Sequence, residues 1–144
     1  MHNFRTVITG SGSYIPSELI QNEDFLKNSF YTKEGELFQN STEDIIQKFY
    51  AITGIKERRY ASKEMMNSDM AAIAGKKAIE AAGINGEDLD QIIVAHNFGD
   101  VSNDVPIPDM VPSLASRVKH KLGIVNPKCV AYDIIFGCPG WVQG

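Results

Sequence analysis

An eight-residue run of mostly β-branched and aromatic side chains, Cys129-Val130-Ala131-Tyr132-Asp133-Ile134-Ile135-Phe136, leads directly into Gly137-Cys138-Pro139-Gly140-Trp141. No other stretch limits the fold of the chain so strongly. Its length and composition predict a strand buried on both faces, as in a sheet covered by helices on either side. Gly137 and Gly140 relieve crowding at a sharp turn, and Pro139 suits the first position of a helix, where its missing N–H would have no partner anyway. Cys138 is therefore expected at a strand-to-helix elbow, a placement that aims a nucleophile at a substrate and turns helix N-terminal N–H groups toward it. A free Cys with no such flanks is usually a small buried hydrophobe, and Cys129 is read that way.

The chain has 144 residues, 43% hydrophobic and 22% charged, which is an ordinary composition for a soluble protein and enough for one core. Nothing in the sequence suggests a second domain. The net charge of −4 argues against nucleic-acid binding, and no basic run longer than Arg58-Arg59 or Lys76-Lys77 reverses that. The start, Met1-His2-Asn3-Phe4-Arg5, lacks an apolar signal core, and no apolar run approaches the ~20 residues of a membrane span. A cytoplasmic protein is expected. The two cysteines, on a strand and an elbow, form neither a disulfide framework nor a metal site.

In chain order, Phe4 to Thr9 reads as a first strand, closed by a tight turn at Gly10-Ser11-Gly12. A dinucleotide reading of this Gly-x-Gly fails because Ile15 stands where the third glycine belongs and Pro16 interrupts the helix. Asn22 is expected to cap a short helix with Glu23 and Asp24 in its first turn. Residues 28–40 form a loop with Lys33-Glu34-Gly35-Glu36 as its solvated tip. A helix capped by Ser41 follows, with Ile45, Ile46, Phe49 and Ile52 on one face, and Gly54 stops it. Ile55 to Tyr60 alternates like a strand, and Arg58 and Arg59 read as structural pairing partners.

Ser68 or Asp69 caps a further helix that ends at Gly83 and carries a stripe of Ala71, Ala74, Gly75, Ala78 and Ala82, small enough for close packing. Gln91 to His96 reads as a buried parallel strand. His96, at its C-terminal end, is expected to be a satisfied hydrogen bonder rather than a base; His2 and His120 read as surface residues. Residues 97–110, with Gly99, Pro106 and Pro108, form a long irregular loop of the functional or mobile kind. After Pro112 a helix turns Leu114, Ala115, Val118 and Leu122 inward and Arg117, Lys119 and Lys121 outward, ending at Gly123.

The segment Asp133 to Trp141 resembles the active-site segment of the 3-oxoacyl-acyl-carrier-protein synthase III group of the thiolase superfamily, in which a Cys followed by small-Gly-aromatic opens the nucleophile helix. Ile8 to Pro16, Thr53 to Arg58, Ala78 to Ile84, and Val111-Pro112-Ser113 resemble that group in the same order. The resemblance implies an α/β fold of the layered αβαβα kind, with residues 1–144 as an N-terminal half-domain truncated just after the elbow.

It also implies an acyltransferase of fatty-acid or related biosynthesis. Cys138 would accept an acyl group from a coenzyme A thioester, here a substrate rather than a cofactor. The acyl-enzyme would then condense with the carbanion formed by decarboxylating malonyl-acyl-carrier protein. The family's His and Asn lie far downstream of the Cys, so a 144-residue chain ending at Gly144 is expected to be inactive in condensation. Val111 matches the position where many members place a Phe that reaches into the partner subunit's acyl pocket, and its smaller side chain implies room for a longer or bulkier acyl group. Where the family often places a Trp and an Arg for the adenine of coenzyme A, this chain has Lys48 and Ile52. The resemblance further implies a homodimer joined through the Cys129–Phe136 strand. The alternatives are another thiolase-superfamily enzyme, such as a hydroxymethylglutaryl-coenzyme A synthase or a polyketide-type synthase, and a non-catalytic acyl-binding or dimerisation module.

Overall fold

A computed structural model describes residues 5–102 and 107–144. His2, Phe4 and Pro106, each given a place by the sequence, lie outside the described residues. Two compact units are present: Ile15–Ser62, and Met1–Tyr14 together with Lys63–Gly144.

In the smaller unit, strands β1 (Glu18–Gln21) and β2 (Glu57–Tyr60) pair antiparallel, with Leu19 opposite Arg59 and Ile20 opposite Arg58. Helix α1 (Thr42–Thr53) begins as the sequence predicts: the Ser41 hydroxyl accepts the Asp44 N–H at 3.1 Å, and Gly54 ends the helix at φ 68°. This cap satisfies one of the N–H groups that a helix start leaves without a partner. The apolar face of α1 is only partly covered, since Ile45 and Ile46 are half-buried while Ile52 is 81% exposed. Phe49 meets the Phe30 ring edge-on with centroids 5.8 Å apart. Within the irregular 28–40 stretch, Tyr31 bridges Leu37 and the Thr32 N–H donates to the Glu36 carbonyl, leaving residues 33–36 as an exposed tip.

The expected cap at Asn22 is corrected. The 3-10 helix Asn22–Lys27 is capped one residue earlier, where the Gln21 N–H donates to the Asp24 carboxylate at 2.7 Å. Asn22 is engaged elsewhere: its amide donates to the Ile55 carbonyl at 2.9 Å and its Oδ1 accepts from Arg58 at 2.6 Å. Arg58 also lies over the Phe25 ring, 5.0 Å from its centre, and Arg59 donates to the Ser17 carbonyl. Both arginines are structural, as expected, although the buried Nη1 of Arg58 has no partner among the described residues.

The larger unit holds α2 (Asn67–Ala82), β3 (Gln91–His96), α3 (Leu114–Lys121), β4 (Val130–Ile135) and α4 (Pro139–Gln143). Strands β3 and β4 are parallel, with Val94 opposite Asp133 and His96 opposite Ile135. A parallel pair needs a crossover connection, and α3 lies within it. Leu114, Ala115 and Val118 of α3 are buried with Ala72, Ile124 and Cys129, which forms the core. Burying a Leu or Val side chain fully is worth about 1.5–3 kcal/mol, so the inward face of α3 and the reading of Cys129 as core agree with the sequence.

Four expectations for this unit are corrected. Residues 5–9 join no strand ladder among the described residues, and Ile8 is 92% exposed; a strand exists only where another strand takes up its N–H and C=O groups. Strand β4 is not buried on both faces: Val130, Tyr132 and Ile135 are 55%, 40% and 55% exposed, while Ala131 and Asp133 between them are better covered. The apolar composition suggested two fully covering layers, but the covering is partial on both faces: Ala131, Asp133 and Ile134 are half-buried while Val130, Tyr132 and Ile135 stay exposed. Helix α2 starts at Asn67, with Met66 at the cap position and the Met66 N–H on the Asp69 carboxylate at 2.9 Å.

Gly10 and Gly12 are neither a turn nor a phosphate loop. They lie against the small-residue stripe of α2, so a Cβ on Gly10 would sit 2.5 Å from both the Ala78 carbonyl oxygen and the Ala82 nitrogen, and one on Gly12 would overlap Ala74 and Ala78. The stripe is thus explained by the backbone that rests on it. Replacing Gly10 by alanine forces backbone apart from backbone and should destabilise the chain by about 1–3 kcal/mol, read as a lowered urea midpoint. An unchanged midpoint would mean that this contact does not hold in solution.

Candidate active site

The elbow expected after β4 is present. The strand ends at Ile135, Gly137 turns the chain at φ 51°, and Pro139 takes the first position of α4. A positive φ of this size favours glycine because a Cβ would meet the following carbonyl oxygen. Gly140 is buried where a Cβ would come within 3.4 Å of Ala95 on β3, so the small residue lets α4 sit close to the sheet.

Cys138 occupies the cap position of α4 and is exposed, whereas Cys129 is buried. Among the described residues its thiol receives no capping hydrogen bond. The Gly140 N–H is taken by the Gly137 carbonyl at 3.1 Å, and Pro139 has no N–H to give. The backbone N–H of Cys138 itself has no partner among the described residues.

Five residues upstream on β4, Asp133 ties the larger unit together. One carboxylate oxygen accepts the Ala115 N–H at 2.7 Å; the other accepts the Leu114 N–H at 2.7 Å and meets His96 Nε2 at 2.9 Å. Its side chain is 8% exposed. Burial pushes the carboxyl pKa up, but the hydrogen bonds from His96 and from the start of α3 outweigh it and hold the group below the ordinary 3.8. Asp133 thus fastens the first turn of α3 to both strands.

The tautomer of His96 follows from its neighbours. Nδ1 accepts the Gly99 N–H at 2.8 Å, so the ring proton sits on Nε2 and is donated to Asp133. With both ring nitrogens engaged and 4% of its side chain exposed, His96 is the satisfied hydrogen bonder the sequence suggested and is not placed to act as a base.

Beyond β3, the buried carboxylate of Asp100 accepts from the N–H and the hydroxyl of Ser68, both at 2.8 Å, and from Arg117 at 3.1 Å. Arg117 also pairs with Asp109 at 2.8 Å, which draws the Asp109 carboxyl below its usual range. Lys119 donates to the carbonyls of Asn126 and Cys129 at 2.6 and 2.7 Å, and Lys121 reaches Asp69 at 2.5 Å. The outward basic face expected for α3 is therefore a set of anchors rather than a solvated stripe.

Val111 is 86% exposed and directly precedes Pro112 at the entry to α3. It and Cys138 lie on opposite sides of Asp133 in the connectivity: one leads into the helix that Asp133 caps, and the other follows the strand that carries it. Lys48 and Ile52 are on α1 in the smaller unit and are both exposed. Sequence reasoning missed Asp133, Asp100 and Arg117. One signal was present for Asp133, since an acidic residue inside an apolar strand is almost never buried without partners.

No protein-family model matches the chain. It is 37% identical over 136 residues to the beta-ketoacyl-[acyl-carrier-protein] synthase III of Neisseria meningitidis, an alignment covering 94% of this chain and 35% of that protein. It is 38% identical over 138 residues to the protein of the same name from Caldanaerobacter subterraneus, covering 95% of this chain and 34% of that one. The chain therefore spans about a third of the length of these curated relatives. Among solved structures, the 3-oxoacyl-[acyl-carrier-protein] synthase III of Aquifex aeolicus matches with a TM-score of 0.67 at 29% identity, over 94% of this chain and 36% of that one. The fold is thus α/β and thiolase-like, as the motifs implied.

Proposed function

Because this chain is, along 94% of its length, a relative of the beta-ketoacyl-[acyl-carrier-protein] synthase III proteins, we propose that the whole protein carrying it is an acyltransferase that works through Cys138. The Cys138 thiolate attacks the carbonyl carbon of an acyl thioester, and the coenzyme A or carrier thiolate leaves with the electron pair of the broken C–S bond and takes up a proton. The acyl group then rests on Cys138 Sγ. Decarboxylation of malonyl-acyl-carrier protein releases CO₂ and leaves a carbanion, which attacks the acyl carbon and returns the electron pair to Sγ. The unpartnered N–H of Cys138 suits a donor to the developing oxyanion. The observation that carries this reading is the exposed thiol at a glycine-flanked elbow, in contrast to the buried Cys129.

Incubation of the whole protein with acetyl-coenzyme A, followed by peptide mass spectrometry, tests the reading. An acetyl mass on the Cys138 peptide is expected; acetyl on Cys129, or on neither, would overturn it.

The same reading assigns Val111 to the acyl pocket of a second copy, where its small side chain leaves room for long acyl groups. Val111→Phe should shift the ratio of kcat/KM for octanoyl against acetyl donors toward acetyl by about 10- to 100-fold, the range expected when a pocket gains a large apolar group. A ratio unchanged by the substitution would remove Val111 from the pocket.

A homodimer fits the half-exposed face of β4 and its lack of a second neighbouring strand among the described residues, since an open apolar edge invites pairing. Light scattering should give twice the protomer mass at micromolar concentration. Among the described residues no helix is long and apolar enough to cross a membrane, and a carrier-protein substrate fits the cytoplasm.

A further inference from the structure

We infer that Arg117 is a positioning residue for acyl selection: by holding Asp100, Asp109 and the Pro112 carbonyl at once it fixes the segment that presents Val111, an inference that rests on the function proposed above. Three of its nitrogens are used. Nε donates to the Pro112 carbonyl at 3.0 Å, Nη1 to Asp100 at 3.1 Å and Nη2 to Asp109 at 2.8 Å. The backbones of Asp100 and Asp109 also exchange hydrogen bonds, at 3.0 and 2.8 Å, so the guanidinium grips a point where the chain leaving β3 already meets the chain entering α3.

Both ends of the grip rest on ordered elements. Asp100 is 6% exposed and is held by Ser68 on α2, while Arg117 stands on α3 beside the buried Leu114, Ala115 and Val118. Val111 itself is 86% exposed, so its own packing does not place it; the neighbouring Pro112 carbonyl, bound to Arg117, does. On the far side, among the described residues, a cavity of about 440 Å³ opens beside Met66, Ile107 and Pro108. Lysine cannot replace this arrangement, because one ammonium lacks the planar fork that reaches three acceptors in different directions.

Arg117→Lys and Asp109→Asn test the inference in the whole protein. The second variant is the milder one, since the Asp109 side chain is 61% exposed, and it leaves the Asp100 contacts in place. In Arg117→Lys, amide exchange at Asp100 and Asp109 should accelerate by about 10-fold or more while exchange in the middle of α2 stays unchanged. The octanoyl-to-acetyl ratio of kcat/KM should move by about 5-fold or more, within what altered pocket contacts produce, and acylation of Cys138 should persist. Asp109→Asn should show the same changes in smaller degree. Unchanged exchange in both variants overturns the clamp, and faster exchange with an unchanged ratio overturns its role in selection. A wild-type protein that never acquires an acyl group on Cys138 overturns the functional reading and the selectivity claim with it, while the exchange data still decide whether Arg117 holds the segment.

Discussion

Cys138→Ala in the whole protein should abolish the acyl adduct and lower condensation by at least about 10³-fold, the scale on which removing a nucleophile acts. It should do so with almost no change in stability. The thiol is exposed and receives no capping hydrogen bond among the described residues, and substitutions at such positions usually stay within about ±0.5 kcal/mol. Cys129→Ser makes the opposite case. That residue is 2% exposed, so a hydroxyl there is buried without an assured partner and should cost about 1–3 kcal/mol while leaving the adduct on Cys138. Paired mass spectra and thermal melts of the two variants separate chemistry from packing. Full turnover by Cys138→Ala would end the nucleophile assignment.

Asp133→Ala should be the most destabilising single change in the larger unit. It strands the Leu114 and Ala115 N–H groups and the Nε2–H of His96, all inside an 8% exposed site. Leaving buried partners of a charged group unpaired costs about 3–5 kcal/mol. Asp133→Asn keeps one acceptor and should cost less.

The pH dependence has a definite sign. The carboxyl pKa is lowered in the folded chain, so the unfolded chain binds more protons as pH falls. The stabilisation is complete above the unfolded carboxyl value, ordinarily 3.8, and is lost as pH drops through the lower folded one. Urea titrations of wild type and Asp133→Asn should therefore show a stability gap that is constant near neutral pH and narrows below about pH 4. A gap that stays constant down to pH 2 would remove the carboxylate charge from the explanation.

Much of the local structure was legible in the sequence because its causes are local. Ser41 with Asp44 three residues on, Gly54 and Gly83 at helix ends, and the apolar spacing of Leu114, Ala115 and Val118 each act within a turn or two of chain. The elbow at Gly137 and Pro139 was legible for the same reason. What could not be read was pairing over distance. His96 and Asp133 are 37 positions apart, and Ser68 and Asp100 are 32 apart, so only the fold brings them together. Strand β1 was missed because four residues show too little alternation to stand out. Strand β4 was misjudged because apolar composition reports what a strand can bury, whereas exposure depends on which layers lie against it.

Helices α2 and α3 receive carboxylate caps from elsewhere in the chain. The cap position of α2 is Met66, which has no side-chain oxygen, and the Ser68 N–H is instead satisfied by Asp100; the first turn of α3 is satisfied by Asp133. The start of α2 is complete only when the chain after β3 has folded back, and that of α3, where the Ser113 hydroxyl caps the Ser116 N–H at 3.1 Å, only when Asp133 on β4 has docked. Helix nucleation is unfavourable by itself, so these two helices should gain their full stability only when the sheet forms. A peptide of residues 67–82 should then be less helical than its alanine-rich composition suggests. In the folded chain the amides of the first turn of α2 should open together with those of β3, as one cooperative unit rather than by fraying from the helix end.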